Sequence, residues 1–198
     1  MNPDTKAQIL ATSLNLFAEQ GFGKTSMNDI IRATGMSKGG VYWHFPSKDA
    51  LIHAVFKQFF EEQVNAFADL ITQENLSATD KLMGLAKQGG AELAEMAGQF
   101  PSSLEFYALA INDSALQEML VHFLNRYRDL IEQLITQGIQ TEEWRNVDAR
   151  AAANTLIALI EGVLLIWAMT PEAFRLDEQL EQSMALLLEG LKNHERGV

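Results

Sequence analysis

Apolar residues recur at three- and four-residue intervals along nearly the whole 198-residue chain, and no run of alternating β-branched residues marks a strand. The pattern predicts an all-α fold. A first helix begins near Pro3 with Asn2 as its cap, buries Ile9, Leu10, Leu14 and Phe17, and stops at Gly21. Ser26 caps a second helix, and Asp29 three residues later completes a capping-box pattern, with Ile30 and Ile31 on the apolar face. Gly35 permits a sharp turn, Ser37 caps a third helix, and Pro46 ends it after about two turns. Ser47 caps a long fourth helix on which Phe56, Phe59, Phe60, Val64 and Phe67 form a bulky stripe. Further helices are predicted over residues 79–96, 101–111, 114–140, 148–169 and 176–191; the first of these contains Gly89-Gly90, a pair that implies close packing, a bend or a cavity.

Two short helices joined by a glycine-containing turn form a helix-turn-helix, whose second helix enters the DNA major groove in proteins built this way. Residues 38–45 span about 12 Å at helical rise, matching the roughly 12 Å width of that groove. Val41 and Phe45, four apart, fall on one face and anchor the helix to the first one, which leaves Lys38, Gly39, Tyr42 and Trp43 for a partner. The chain is expected to divide into a three-helix head with the helix-turn-helix, residues 1–47, and a larger helical body, residues 48–198.

The formal net charge of −11 would by itself argue against a polyanionic partner. The charge is segregated, however. The first 60 residues hold six Lys/Arg against four Asp/Glu, so the net negative charge falls on the rest. A mildly basic end can bind DNA while the acidic body points away. The chain has no cysteine, which removes disulfides, thiolate metal sites and a Cys nucleophile and fits a reducing compartment. The amino-terminal stretch has polar residues where a signal peptide needs an apolar run, and the apolar segment 155–169 is shorter than the roughly 20 residues that span a bilayer and contains Glu161. That segment reads as a buried helix, and a cytoplasmic location without a membrane partner is expected.

The stretches "ILATSLNLFAEQGF", "TSMNDI", "ATGMSKGGVYWHF" and "PSKDAL", in this order between residues 9 and 51, resemble the amino-terminal pattern of the TetR family of bacterial transcriptional regulators. "LEFYALAINDSAL" and "ALIEGVLL" resemble segments of the helical body in that family. The resemblance implies a DNA-binding surface made by Thr25, Ser26, Lys38, Gly39, Gly40, Tyr42, Trp43, His44 and Lys48. Lys38 reaches a base acceptor or a phosphate, and Gly39 and Gly40 let the backbone come close to DNA. Tyr42 places its hydroxyl on a phosphate, Trp43 meets sugar or base edge, and His44 meets phosphate at the helix end. Lys48, in the first turn of helix four, suits a phosphate together with the amides there, and Thr25 and Ser26 do the same at helix two.

The same resemblance implies a small-molecule effector held between the helices of the body. Candidate lining residues are Phe67, Met96, Phe106, Phe123 and Tyr127, with Glu105 and His122 as polar contacts, which favours a largely apolar or aromatic effector. The last two helices, with small residues and Gly162 in the first and an amphipathic pattern in the second, are the expected homodimer surface, two copies forming a four-helix bundle. A dimer would set two recognition helices on successive major grooves of palindromic operator DNA, about 34–36 Å apart. The expected function is that of a repressor released from its operator by the effector.

An enzyme is the competing class. The four histidines at 44, 53, 122 and 194 are dispersed, and no Glu-x-x-His, Gly-x-Ser-x-Gly or phosphate-loop pattern occurs, so no catalytic residue, metal or cofactor is expected. An interaction protein with a vestigial DNA head is a further alternative, separated from a regulator by salt-sensitive, sequence-selective DNA binding.

Overall fold

The computed structural model describes residues 3–96 and 103–192. Among the described residues every regular element is a helix: α1 Pro3–Gln20, α2 Met27–Thr34, α3 Lys38–His44, α4 Lys48–Ile71, α5 Ala78–Met96, α6 Ser103–Asn112, α7 Ser114–Gln140, α8 Ala149–Met169 and α9 Leu176–Leu191. The predicted cap at Asn2 and the predicted start at Pro101 lie outside the described residues. The chain forms two compact units, Met1–Glu62 with Glu95–Met119, and Gln63–Ala94 with Leu120–Val198, so α4, α5 and α7 each contribute residues to both.

In the first unit the head is assembled by caps. Gly21 ends α1 in the left-handed region (φ 80°), its amide donating to the Phe17 carbonyl at 2.8 Å. Ser26 and Asp29 form the full capping box, each backbone amide donating to the other's side chain at 2.9 and 3.2 Å. Gly35 ends α2, again left-handed at φ 66°. Ser37 Oγ then accepts the Gly40 amide at 3.1 Å to start α3. The Phe17, Phe22 and Phe56 rings pack in sequence, tilted at about 45° to one another, at separations of 4.8 and 5.3 Å, joining α1 and α4 through an apolar core that also holds Ile9, Ile30, Val41 and Phe45. Leu14, expected in this core, is half-buried. The buried position belongs to Ser13, one turn from both Ile9 and Phe17, whose hydroxyl donates to the Ile9 carbonyl at 2.6 Å and so needs no outside partner.

The second unit has its core among Phe67, Leu82, Ile131, Leu134, Ile135, Trp144, Leu156, Met184 and Leu188. Polar side chains close it over long sequence distances. Both Glu143 oxygens accept the first amides of α5, from Ala78 and Thr79, at 3.1 Å each. Buried Lys81 donates to the Ile71 carbonyl at 2.8 Å, where a cation offsets the negative end of α4. The glycine pair of α5 resolves into two different roles: Gly89 faces open space, whereas a Cβ on Gly90 would sit 3.2 Å from the Asp177 Cα, so Gly90 is there for close approach of α9.

The reading of 155–169 as a buried helix is corrected. The helix runs from Ala149 to Met169, long and apolar enough to cross a bilayer by length and composition alone, and only Ala153 and Leu156 are buried. Leu165, Ile166 and Met169 are exposed, Ile166 by 56%. An apolar stripe wider than its own unit covers is what helical periodicity cannot distinguish from a fully buried helix.

Candidate nucleic-acid interface and effector site

The sequence of α3, KGGVYWH, alternates between two environments within two turns. Val41 is wholly buried and Phe45, just past the helix end, is nearly so, with the Lys6 ammonium 6.0 Å from the Phe45 ring centre. Two aromatic side chains on the same helix remain outside: Tyr42 is 37% and Trp43 64% exposed. Aromatics of this size are more often covered than exposed. Lys38 Nζ stands 5.7 Å from the Tyr42 ring centre, one turn away, so a cation and a phenol are presented side by side. The His44 ring meets the Trp43 ring edge to face at 4.6 Å, which orders both at the end of the helix.

Around α3 the remaining predicted residues take distinct places. Gly39 is exposed with open space where a Cβ would be. The Gly40 amide is used by the Ser37 cap, and a Cβ on Gly40 would lie 3.2 Å from the Ser37 hydroxyl, so its bareness serves the cap. Lys48 begins α4 and its ammonium donates to the Gly23 carbonyl at 3.4 Å, holding it over the loop before α2. Ser26 is exposed at the start of α2, with its hydroxyl tied to Asp29. Thr25 is buried instead, its hydroxyl donating to the Gly21 and Leu16 carbonyls at 2.9 and 3.2 Å, so its side chain braces the loop from within. The Ser26 hydroxyl, followed by the Ser26 amide and Arg32, holds the Asp29 carboxyl below the usual carboxylate range.

In the second unit, the structure brings three of the predicted effector residues together. Phe67 is buried on α4, its ring 5.0 Å from that of Tyr127 on α7, and Phe123 one turn earlier on α7 lies 5.4 Å from Tyr127. Phe123 and Tyr127 are each half-buried, and His122 beside them is exposed. The side chains of Met96, Glu105 and Phe106 lie outside the described residues. Burial, reinforced by the negative charge of Glu161 on α8, pushes the Tyr127 phenol above its ordinary range. No group of three or more His, Asp or Glu placed to hold a metal ion occurs among the described residues.

Two family matches cover separate stretches of the chain. Residues 9–55 match the family "Bacterial regulatory proteins, tetR family", and residues 99–192 match "BetI-type transcriptional repressor, C-terminal". The fatty acid metabolism regulator protein of Bacillus subtilis (strain 168) is 22% identical over 94% of this chain and 95% of its own. A TetR transcription regulator from Haloarcula marismortui superposes with a TM-score of 0.85 at 19% identity, covering 97% of this chain and 100% of its own. A transcriptional regulator from Saccharomonospora viridis, solved with choline, superposes with a TM-score of 0.82 at 20% identity, covering 98% and 100%. The matches over residues 9–55 and 99–192, with these relatives along almost the whole chain, place the protein in the TetR family of ligand-responsive, DNA-binding transcriptional repressors.

Proposed function

We propose that the protein represses transcription by binding a palindromic operator as a homodimer, and that a small, largely apolar or aromatic effector held in the helical body releases it. The observation that carries the DNA reading is the split within α3: Val41 and Phe45 buried, Tyr42 and Trp43 exposed beside Lys38. Residues 1–47 serve as the DNA-binding domain and residues 48–198 as the ligand-binding and dimerisation domain. Lys38, Tyr42, Trp43, His44 and Lys48 meet the operator, Gly39 admits its backbone closely, and Ser26 presents the start of α2. Phe67, Phe123 and Tyr127 receive the effector. Membership of a family of transcriptional regulators favours a cytoplasmic, non-enzymatic protein.

The homodimer is assigned to α8 and α9, on which Leu165, Ile166, Met169 and Leu186 expose apolar surface in the single chain. Repression and release then need only differential affinity: an effector that favours a head spacing unsuited to the operator by about 1.4 kcal/mol lowers operator affinity about tenfold. One structural relative was solved with choline and another relative is a fatty acid metabolism regulator, so the effector class of this chain rests on its own residues.

The direct test is selection of bound duplexes from a random DNA pool by the purified protein. An enriched inverted repeat with half-sites about one helical turn apart, some 34–36 Å, is the expected result. A pool without enrichment, from protein shown to be folded, would contradict the operator reading.

A further inference from the structure

The outward side chains of α3 have a chemistry narrow enough to select among base pairs. Its sequence, KGGVYWH, holds no carboxylate and no side-chain amide, so it lacks the usual partners of two bases: an acid for the cytosine amino group and an amide for the adenine edge. With Val41 buried, it presents a lysine, a phenol, an indole and an imidazole. The indole of Trp43 is the more open of the two large rings, 64% exposed against 37% for Tyr42. The Lys38 ammonium stands against the Tyr42 ring at 5.7 Å, and the His44 ring meets the indole edge to face at 4.6 Å, which orders Trp43 without covering it. Gly39, one turn before Trp43 on the same stripe of the helix, has nothing within 4 Å of where a Cβ would be, so the ground beside the indole stays open to a base.

An indole is an apolar ring with one N–H that only donates. In the major groove, thymine offers an apolar methyl group at C5 beside the acceptor O4. Guanine offers two acceptors and no apolar group, which suits a lysine better, and adenine and cytosine each present an amino donor that a donor-only indole cannot meet. We propose that Trp43 is a specificity-determining residue that reads a thymine in each operator half-site, its ring against the C5 methyl. This assignment rests on the operator reading of the proposed function and names the base that α3 selects through this side chain.

The test replaces each thymine of one selected half-site in turn by deoxyuridine, which removes the C5 methyl and leaves O4 in place. Affinities of the full chain as wild type, Trp43→Ala and Tyr42→Ala are measured at low salt, where phosphate contacts keep weakened variants within range. For wild type, the replacement at one thymine should weaken binding about fourfold, the worth of one buried methyl group. Trp43→Ala should bind the unmodified duplex more weakly and show no penalty at that thymine, with helix content unchanged because the side chain is exposed. Tyr42→Ala should keep the penalty, which separates a lost methyl contact from weaker binding in general. No thymine sensitive to the replacement, or a penalty that persists in Trp43→Ala, would overturn the thymine assignment and leave the operator reading standing. Selection that enriches no duplex would overturn the operator reading and this assignment with it.

Discussion

The His53 imidazole on α4 donates to the Asp113 carboxylate just ahead of α7, Nε2 to Oδ2, at 2.7 Å. The other oxygen of Asp113 accepts the Ala115 and Leu116 amides at 2.9 and 3.2 Å. One carboxylate thus caps α7 and fastens it to the helix that leads out of the DNA-binding head, all within the first unit. The His53 hydrogen bond, followed by the Leu116 amide, holds the Asp113 carboxyl below its usual range.

Because the folded pKa is depressed, the stability Asp113 contributes is present above the ordinary carboxylate range and is lost as pH falls through the depressed value. Asp113→Asn should therefore melt below wild type at neutral pH, with the difference closing only under acid conditions, below about pH 4. Thermal melts of the two proteins from pH 7 downward read this directly. A difference that closed as pH rose would contradict it.

The capping box gives a second stability prediction. Ser26→Ala removes the acceptor for the Asp29 amide and should cost about 1 kcal/mol in urea unfolding, the usual worth of an N-cap hydroxyl. Asp29 titrates in the same sense as Asp113, so its share of the box also fails on acidification and not on alkalinisation.

Glycines of α5, α7 and α8 should separate by environment. Gly138→Ala would drive a Cβ to 2.4 Å from the buried Trp144 ring, itself fixed by a hydrogen bond from its Nε1 to Thr79 at 3.1 Å, and should cost about 1–3 kcal/mol. Gly89→Ala meets nothing within 4 Å and should stabilise its helix by up to about 1 kcal/mol. Gly162→Ala is equally unhindered within one chain, so a loss of dimer affinity in that variant would place Gly162 where two α8 helices approach.

Ile166→Lys and Leu186→Lys each put a charge on apolar surface that the single chain leaves open, 56% and 78% exposed. Sedimentation should show a shift from dimer to monomer with helix content unchanged. A dimer unaffected by both substitutions would move the interface away from α8 and α9.

Local chemistry made much of this fold legible in advance. Ser26 and Gly35 bracket α2, Ser37 and Pro46 bracket α3, and α7 and α9 run over the predicted residues, since caps and breakers act within a few residues of themselves. The exposed face of α3 followed from the four-residue spacing of Val41 and Phe45. Contacts made by folding were not legible: His53 meets Asp113 across 60 residues, and Glu143 caps α5 across 65. Nor does hydropathy distinguish a helix buried in its own unit from one that leaves apolar side chains exposed, as α8 does at Leu165, Ile166 and Met169. Thr25 shows the same limit at the site, because a threonine beside a cap has the same sequence context whether its hydroxyl points out or, as here, into the loop.

The most direct test of the central claim is a salt titration of binding to the selected duplex by wild type, Tyr42→Ala and Lys38→Ala. Tyr42→Ala should weaken binding about tenfold or more, and Lys38→Ala should also lower the slope of log affinity against log salt by about 1, one phosphate contact fewer. Unchanged affinity and slope in both variants, with helix content intact, would contradict the assignment of α3 as the surface that reads DNA.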